Sequence, residues 1–203
     1  MSPEARRLAS ATASAKPSTM TRTRMLLFAL IIASAAAAIL LAMGRPPICT
    51  CDVVALWEPS ADSARTSQML ADWYSPSHFI HGLLFYWLLW LACRRWPVER
   101  RFLVALAIEA AWELIENTPL IIDRYRDATM ALGYTGDSVI NSLSDIAMMA
   151  LGFLLARRLP VWASLLLAVA LELAALIVIR DNLTLNIIML LAPSDAIRAW
   201  QAG

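Results

Sequence analysis

Residues 25–43 run for nineteen positions without a charged side chain, and at about 1.5 Å of rise per residue a helix of that length approaches the roughly 30 Å hydrocarbon core of a bilayer. A chain that opens this way has few folds available to it. Four more apolar stretches follow, at 78–93, 102–122, 137–156 and 161–179. Backbone groups within lipid must be satisfied inside their own segment, so the expected fold class is all-α: a polytopic membrane helical bundle of about five transmembrane helices. A cleaved leader is the competing reading of the first run. The run exceeds the usual apolar length of about 7–15 residues in such leaders, which favours a retained anchor.

Composition agrees, with 60% hydrophobic residues, 16% charged residues and a mean hydropathy of +0.61. Soluble domains carry about a quarter charged residues. A net charge of +1, with its basic residues scattered over short loops, argues against nucleic acid as a partner. Membrane lipids are the expected surroundings, and the oligomeric state is open.

The basic residues orient the bundle. Arg6, Arg7, Lys16, Arg22 and Arg24 lie in a tail over residues 1–24, expected to be disordered and cytoplasmic, ahead of a single membrane-embedded domain over 25–203. Arg94, Arg95, Arg100 and Arg101 separate the second and third runs, and Arg157 and Arg158 the fourth and fifth, so most of the 17 basic residues fall on one side. The expected topology in a bacterial inner membrane is N-terminus cytoplasmic and C-terminus extracytoplasmic. Pro119 is expected to bend or end the outer part of the third run, and 123–136 to form an outer loop. The apolar piece 183–192 is too short to cross; it reads as an interfacial or re-entrant helix, followed by a short amphipathic helix through Trp200. Cys49 and Cys51 fall in an outer segment where a bridge is feasible but one intervening residue makes the ring tight. As a metal or redox pair they are the weaker reading.

Against this background the polar residues stand out. Glu109, Glu113 and Glu116 are spaced i, i+4, i+7, on one face of the third span with Trp112 beside them. Asp137, Asn141 and Ser144 form a second stripe on the fourth, with Asp145 next to it. His78 and His81, spaced i, i+3, share a face at the outer end of the second span. Counting from each span's middle puts His81, Glu116 and Asn141 about 6–8 Å toward the outside, and Glu113 and Asp145 within about 2 Å of the middle. Ionisable groups at that depth cost several kcal/mol and persist where they face protein or water. One outward-opening polar site is expected, with Asp123, Arg124 and Arg126 at its substrate rim.

Three chemistries suit that set. A divalent metal such as zinc is the candidate cofactor, with His78, His81, Glu113, Glu116 and Asp137 or Asp145 as ligands. Glu113, Glu116, Asp137, Asn141 and Asp145 are the candidate catalytic groups, as a general acid or base beside an ionised partner. The same groups also suit a proton or cation path, and a scaffold whose carboxylates only fix helix packing is the plainer alternative. Glu172, alone on the fifth span, is expected to pair within the bundle.

At these residues the chain resembles a known family. Gly44-Arg45-Pro46-Pro47-Ile48-Cys49, Asp72-Trp73-Tyr74 with Ser77-His78 and His81-Gly82, Trp112-Glu113-Leu114-Ile115-Glu116-Asn117 with Pro119 and Asp123-Arg124-Tyr125-Arg126, Gly136-Asp137-Ser138, Asn141-Ser142 and Arg180-Asp181-Asn182 are similar to an uncharacterised family of bacterial multi-pass inner-membrane proteins of unknown function, over roughly everything after residue 40. A more distant likeness, over about residues 72–156, is to VanZ-like membrane proteins, through Asp72, His78 or His81, Glu113, Glu116, Asp137, Asn141 and Gly152. The second histidine and the fifth span depart from that pattern. The resemblance implies a cell-envelope setting. The leading expectation is therefore a site that binds or acts on a lipid or lipid-linked envelope component, with a small proton- or cation-coupled permease and a membrane scaffold as alternatives.

Overall fold

The computed structural model describes residues 20–129 and 133–203. Among them are eight helices and no strand: α1 (Arg22–Ala42), α2 (Ser75–Ala92), α3 (Val98–Glu116), α4 (Pro119–Ala128), α5 (Val139–Ala156), α6 (Val161–Ile179), α7 (Leu183–Leu191) and α8 (Asp195–Ala202). The all-α expectation holds. Most of the tail expected over 1–24 lies outside the described residues, but Arg22 and Arg24 belong to α1, where Thr21 caps the first turn by accepting from the Arg24 N–H at 3.3 Å.

Three helices, α1, α5 and α6, are long and apolar enough to cross a membrane. α2 and α3 have comparable lengths of 18 and 19 residues. Two histidines dilute α2, and Glu99, Arg100, Arg101 and the three later glutamates dilute α3. Large apolar side chains of α1 and α6, such as Leu30 and Ile177, point outward and are exposed, as lipid-facing residues are.

Proline punctuates the bundle. Pro97 and Pro160 precede α3 and α6, and Pro76 sits in the first turn of α2, positions where the missing N–H costs nothing. Pro119 does more than bend the third span. Helix α3 stops at Glu116, Thr118 is extended at ψ 150° as a residue before proline prefers, and Pro119 starts α4. The span expected to continue to 122 is therefore two helices, and the loop expected to begin at 123 is helical through Ala128.

α2 and α5 form the centre. A Cβ on Gly82 would lie 2.0 Å from the Met149 carbonyl oxygen, and one on Gly152 would lie 2.1 Å from that of Phe79. Glycine at both positions lets the two backbones touch. Below this crossing Phe153 packs edge-on to Tyr86 and Phe102, at centroid distances of 5.2 and 5.4 Å. Leu106, Ala105, Ile146 and Met149 complete the core, with Ala36 of α1 against it.

The connection between α1 and α2 is laid over the start of α5. Carbonyls of Pro46, Pro47 and Ser67 accept the N–H groups of Val139, Ile140 and Ser138 at 2.8, 3.2 and 3.0 Å, satisfying first-turn donors that have no partner within a helix. The Cys49–Cys51 bridge is formed, with Cα atoms 5.1 Å apart. At the other end of the chain Arg180 takes a left-handed conformation (φ 54°) and the backbone reverses over 180–182. Glu172, about two turns before α6 ends, accepts the N–H groups of Leu183 and Thr184 at 3.0 Å each and the Thr184 hydroxyl at 2.5 Å. This isolated carboxylate thus caps α7 and holds it alongside α6.

Candidate functional site

The glycine crossing sets the N-terminal halves of α2 and α5 side by side, and α3 lies against both. Their polar faces meet there. His78 Nδ1 is 2.7 Å from Glu109 Oε1 and 3.3 Å from Glu113 Oε1, while its Nε2 is 3.8 Å from Asp145 Oδ2. His81, one turn later, places Nδ1 3.1 Å from both oxygens of Glu109. A carboxylate can only accept, so each imidazole donates to Glu109 through Nδ1–H. Glu109 and Glu113 are fully buried. Both oxygens of Glu113 and Oδ1 of Asp145 lack a hydrogen-bond partner.

A second polar group sits above the first. Asn117, the residue that ends α3, donates to Asp137 Oδ2 at 2.7 Å and accepts the Asp137 N–H at 2.7 Å, and the Tyr134 hydroxyl donates to Asp137 Oδ1 at 2.9 Å. Asn141 points away from this pair and donates to the Met69 carbonyl at 2.9 Å, anchoring the α1–α2 connection. Asp72 closes the same end, accepting the N–H groups of Ser67 and Tyr74 at 2.7 and 2.8 Å. Burial pushes the Asp72 carboxyl above its ordinary value, and those N–H donors pull it part of the way back. Burial likewise pushes Asp181, beside the start of α7, up to about 6, against the lowering N–H of Asn182 and hydroxyl of Tyr74.

His78, His81, Glu109, Asp145, Asp137, Asn141 and Asp72 border one cavity of about 400 Å³. Its floor is polar: His78, His81, Glu109, Glu116, Asp137 and Asp145. Its wall is apolar, made by Leu84 and Phe85 of α2, Ile108 of α3, and Leu183, Ile187 and Leu190 of α7. The α7 residues recur at i, i+4, i+7, so one face of that short helix covers the cavity. No Lys or Arg lines it among the described residues.

The structure brings His78, His81, Glu116, Asp137, Asn141 and Asp145 together around this space, and Glu113, which does not line it, lies 3.3 Å from His78 Nδ1. Two ligand-competent sets lie there, His78 with His81 and Glu109, and His78 with Glu113 and Glu116, their ligand atoms within 4.8 Å of one another. Asp123, Arg124 and Arg126 are not among the residues that line the cavity. Arg124 Nε donates to the Leu190 carbonyl at 2.9 Å, and Arg126 donates to the Tyr134 carbonyl at 2.6 Å and approaches Asp123 at 3.4 Å. They brace α4 against α7 and the segment before α5. Glu109 was visible as the first member of the stripe on α3, but its link to both histidines depends on how α2 and α3 pack. Tyr125, Tyr134 and Leu183 reach the cavity from segments with no periodic signal of their own.

Comparison with known proteins gives a consistent answer. A UPF0314 protein of Agrobacterium fabrum is 58% identical over 163 residues, covering 80% of this chain and 82% of its own length. Another of Rhizobium etli is 55% identical over 161 residues, 79% and 83% of the two chains, and one of Sphingopyxis alaskensis is 51% identical over 189 residues, 91% and 97%. No solved structure matches the chain. A family model described as a protein of unknown function (DUF2585) matches residues 40–203, the part that holds every residue of the cavity, and the chain belongs to that family.

Proposed function

We propose that the cavity is an intramembrane site that binds, and acts on, a lipid or lipid-linked component of the bacterial cell envelope. The observation that carries this reading is the division of one cavity into a polar floor and an apolar wall. An amphiphile has the matching division: its headgroup meets His78, Glu109, Glu116 and Asp145, and its chain lies along Ile108, Ile187 and Leu190. Ile108 and Ile187 line the cavity and are exposed, which suits entry of such a chain from the bilayer. Bound headgroups gain from buried, preorganised polar groups, and a carboxylate next to an imidazole supplies an acid–base pair for bond cleavage or transfer.

We place the protein in the inner membrane with five spans, α1, α2, α3, α5 and α6, the N-terminus cytoplasmic and the site facing outward. In support, the α1–α2 connection, the segment before α5 and the C-terminal helices all meet at one end: Ser67 accepts from Ser138, and Arg198 donates to the Asp127 carbonyl. A permease needs a polar path to the opposite end. Beyond Asp145 the bundle core holds Leu106, Ile146, Met149 and Phe153, an apolar set that favours a binding site over a permease.

The test is lipid analysis of detergent-purified protein by mass spectrometry, comparing the wild type with Ile187→Trp, which fills the wall. One lipid class enriched over the bulk extract and lost in Ile187→Trp is the expected result. A co-purified lipid profile identical to the bulk membrane in both proteins overturns the reading.

A further inference from the structure

We propose that His78, Glu113 and Glu116 form a binding site for one divalent transition-metal ion of the zinc or manganese type, with Glu109 holding the His78 ring in the liganding orientation. This stands whichever molecule fills the cavity.

The first argument is charge. Glu109, Glu113, Asp145, Asp137 and Asp72 are buried and Glu116 half-buried, all around one enclosure. No Lys or Arg among the described residues lines it. Two imidazoles are the only basic groups facing these carboxylates from α2, α3, α5 or α7. A low-dielectric site with this imbalance calls for a cation, because buried carboxylates persist when paired or metal-bound.

The second argument is the division of labour among the acids. Both Glu109 oxygens are engaged by imidazole N–H groups, at 2.7 Å from His78 and 3.1 Å from His81. That arrangement fixes the tautomer with Nδ1 protonated and Nε2 free to ligate, as outer carboxylates do for metal-bound histidines. Glu113, one turn further along α3, has no hydrogen-bond partner on either oxygen although it is fully buried, its Oε1 standing 3.3 Å from His78 Nδ1. A buried carboxylate without a donor is costly. Here it stands beside His78 and Glu116, with their ligand atoms within 4.8 Å of one another. Asp145, with Oδ1 also unpartnered, faces the same histidine, its Oδ2 3.8 Å from His78 Nε2. One nitrogen and two oxygens suit zinc or manganese, and Glu116 opens onto the cavity, where a bound molecule completes the coordination. His81, tied to Glu109, is a positioning residue rather than a ligand.

The experiment uses the full chain in detergent, stripped with chelator and freed of any affinity tag. Titration calorimetry with zinc and manganese chloride is expected to show one ion bound per chain in the wild type. Glu113→Gln and His78→Ala weaken binding at least tenfold, roughly the effect of losing a ligand or its support, while His81→Ala retains one ion per chain. Thermal unfolding provides the second readout: added metal raises the wild-type midpoint and leaves that of Glu113→Gln unmoved, as ligand linkage requires. Helicity of Glu113→Gln measured without metal separates loss of the site from loss of the fold. No saturable binding of either ion by the wild type overturns the proposal, and so does equal binding by a folded Glu113→Gln. Lipid enrichment is measured on the same preparations, so a failed lipid reading and a failed metal site are told apart.

Discussion

Gly82 and Gly152 lie against each other where α2 crosses α5, so closely that a Cβ built on Gly152 would stand 3.3 Å from the Gly82 Cα. The atoms opposing a side chain at either position are backbone, which cannot swing aside. His78 lies one turn before Gly82, and Asp145 about two turns before Gly152, so the distance between site residues is set at this contact. Gly82→Ala and Gly152→Ala are each expected to destabilise the fold by about 1–3 kcal/mol, the usual cost of overpacking. Thermal unfolding in detergent measures it. Midpoints equal to wild type for both variants would show that the helices do not meet as closely as described.

How much of this the sequence discloses depends on the range of the interaction. The apolar run at 161–179 coincides with α6, because a helix bounded by Pro160 and a left-handed Arg180 is determined by its own residues. The stripe of Glu109, Glu113 and Glu116 was equally legible, since periodicity alone puts them on one face. Pro119 was readable as an interruption, but its outcome was not: whether a proline kinks a helix or starts a new one depends on what α4 packs against. Likewise, nothing local announces that Pro46 and Pro47 serve the start of α5, or that Asn141 is spent on the Met69 carbonyl. Arg124 and Arg126 have the composition of a substrate rim, and only the packing of α4 on α7 shows them engaged with backbone carbonyls.

Asp181 makes stability depend on pH. Its folded-state carboxyl titrates at about 6 because it is buried, above the ordinary value near 3.9. The folded state therefore holds the proton more tightly, and this contribution is complete below about pH 4 and lost as pH rises through about 6. Asp181→Asn should remove that dependence. Unfolding midpoints from pH 4 to 8 are expected to fall less steeply in the variant between about pH 4 and 6; superimposable profiles would refute the assignment.

Glu172 supplies three acceptor contacts to the first turn of α7. Glu172→Ala leaves those donors to Asn182 alone, which accepts only from Leu185. The loss should be on the order of 1 kcal/mol, typical of a helix cap, and confined to α7. Hydrogen exchange at Leu183 and Thr184 is expected to accelerate while α5 is unchanged. Unaltered exchange at both amides would mean the carboxylate does not hold this helix.

The paired bonds between Asn117 and Asp137 join the end of α3 to the segment before α5. Asn117→Ala leaves Oδ2 of the buried Asp137 carboxylate and the buried Asp137 N–H without their partners, at a cost of about 1–3 kcal/mol. Asn117→Asp, which keeps the acceptor but sets two carboxylates face to face, should be no better at neutral pH. A midpoint for Asn117→Asp close to wild type would argue that the amide donor is dispensable.

Cys93 is the one free thiol among the described residues. Intact-mass analysis after alkylation in denaturant should find one label per chain without reductant and three with it. Three labels without reductant would show the Cys49–Cys51 bridge to be open.

The bonds from the α1–α2 connection to the start of α5 bear on the order in which the chain is assembled. Ser138 Oγ donates to the Gln68 carbonyl across 70 residues of sequence, and Asn141 to the Met69 carbonyl across 72. During synthesis those carbonyls leave the ribosome, with α2 and α3, well before α5 exists. The start of α5 is thus templated by older chain, and the cavity floor, which needs Asp145, closes only when the fourth long helix arrives in the bilayer.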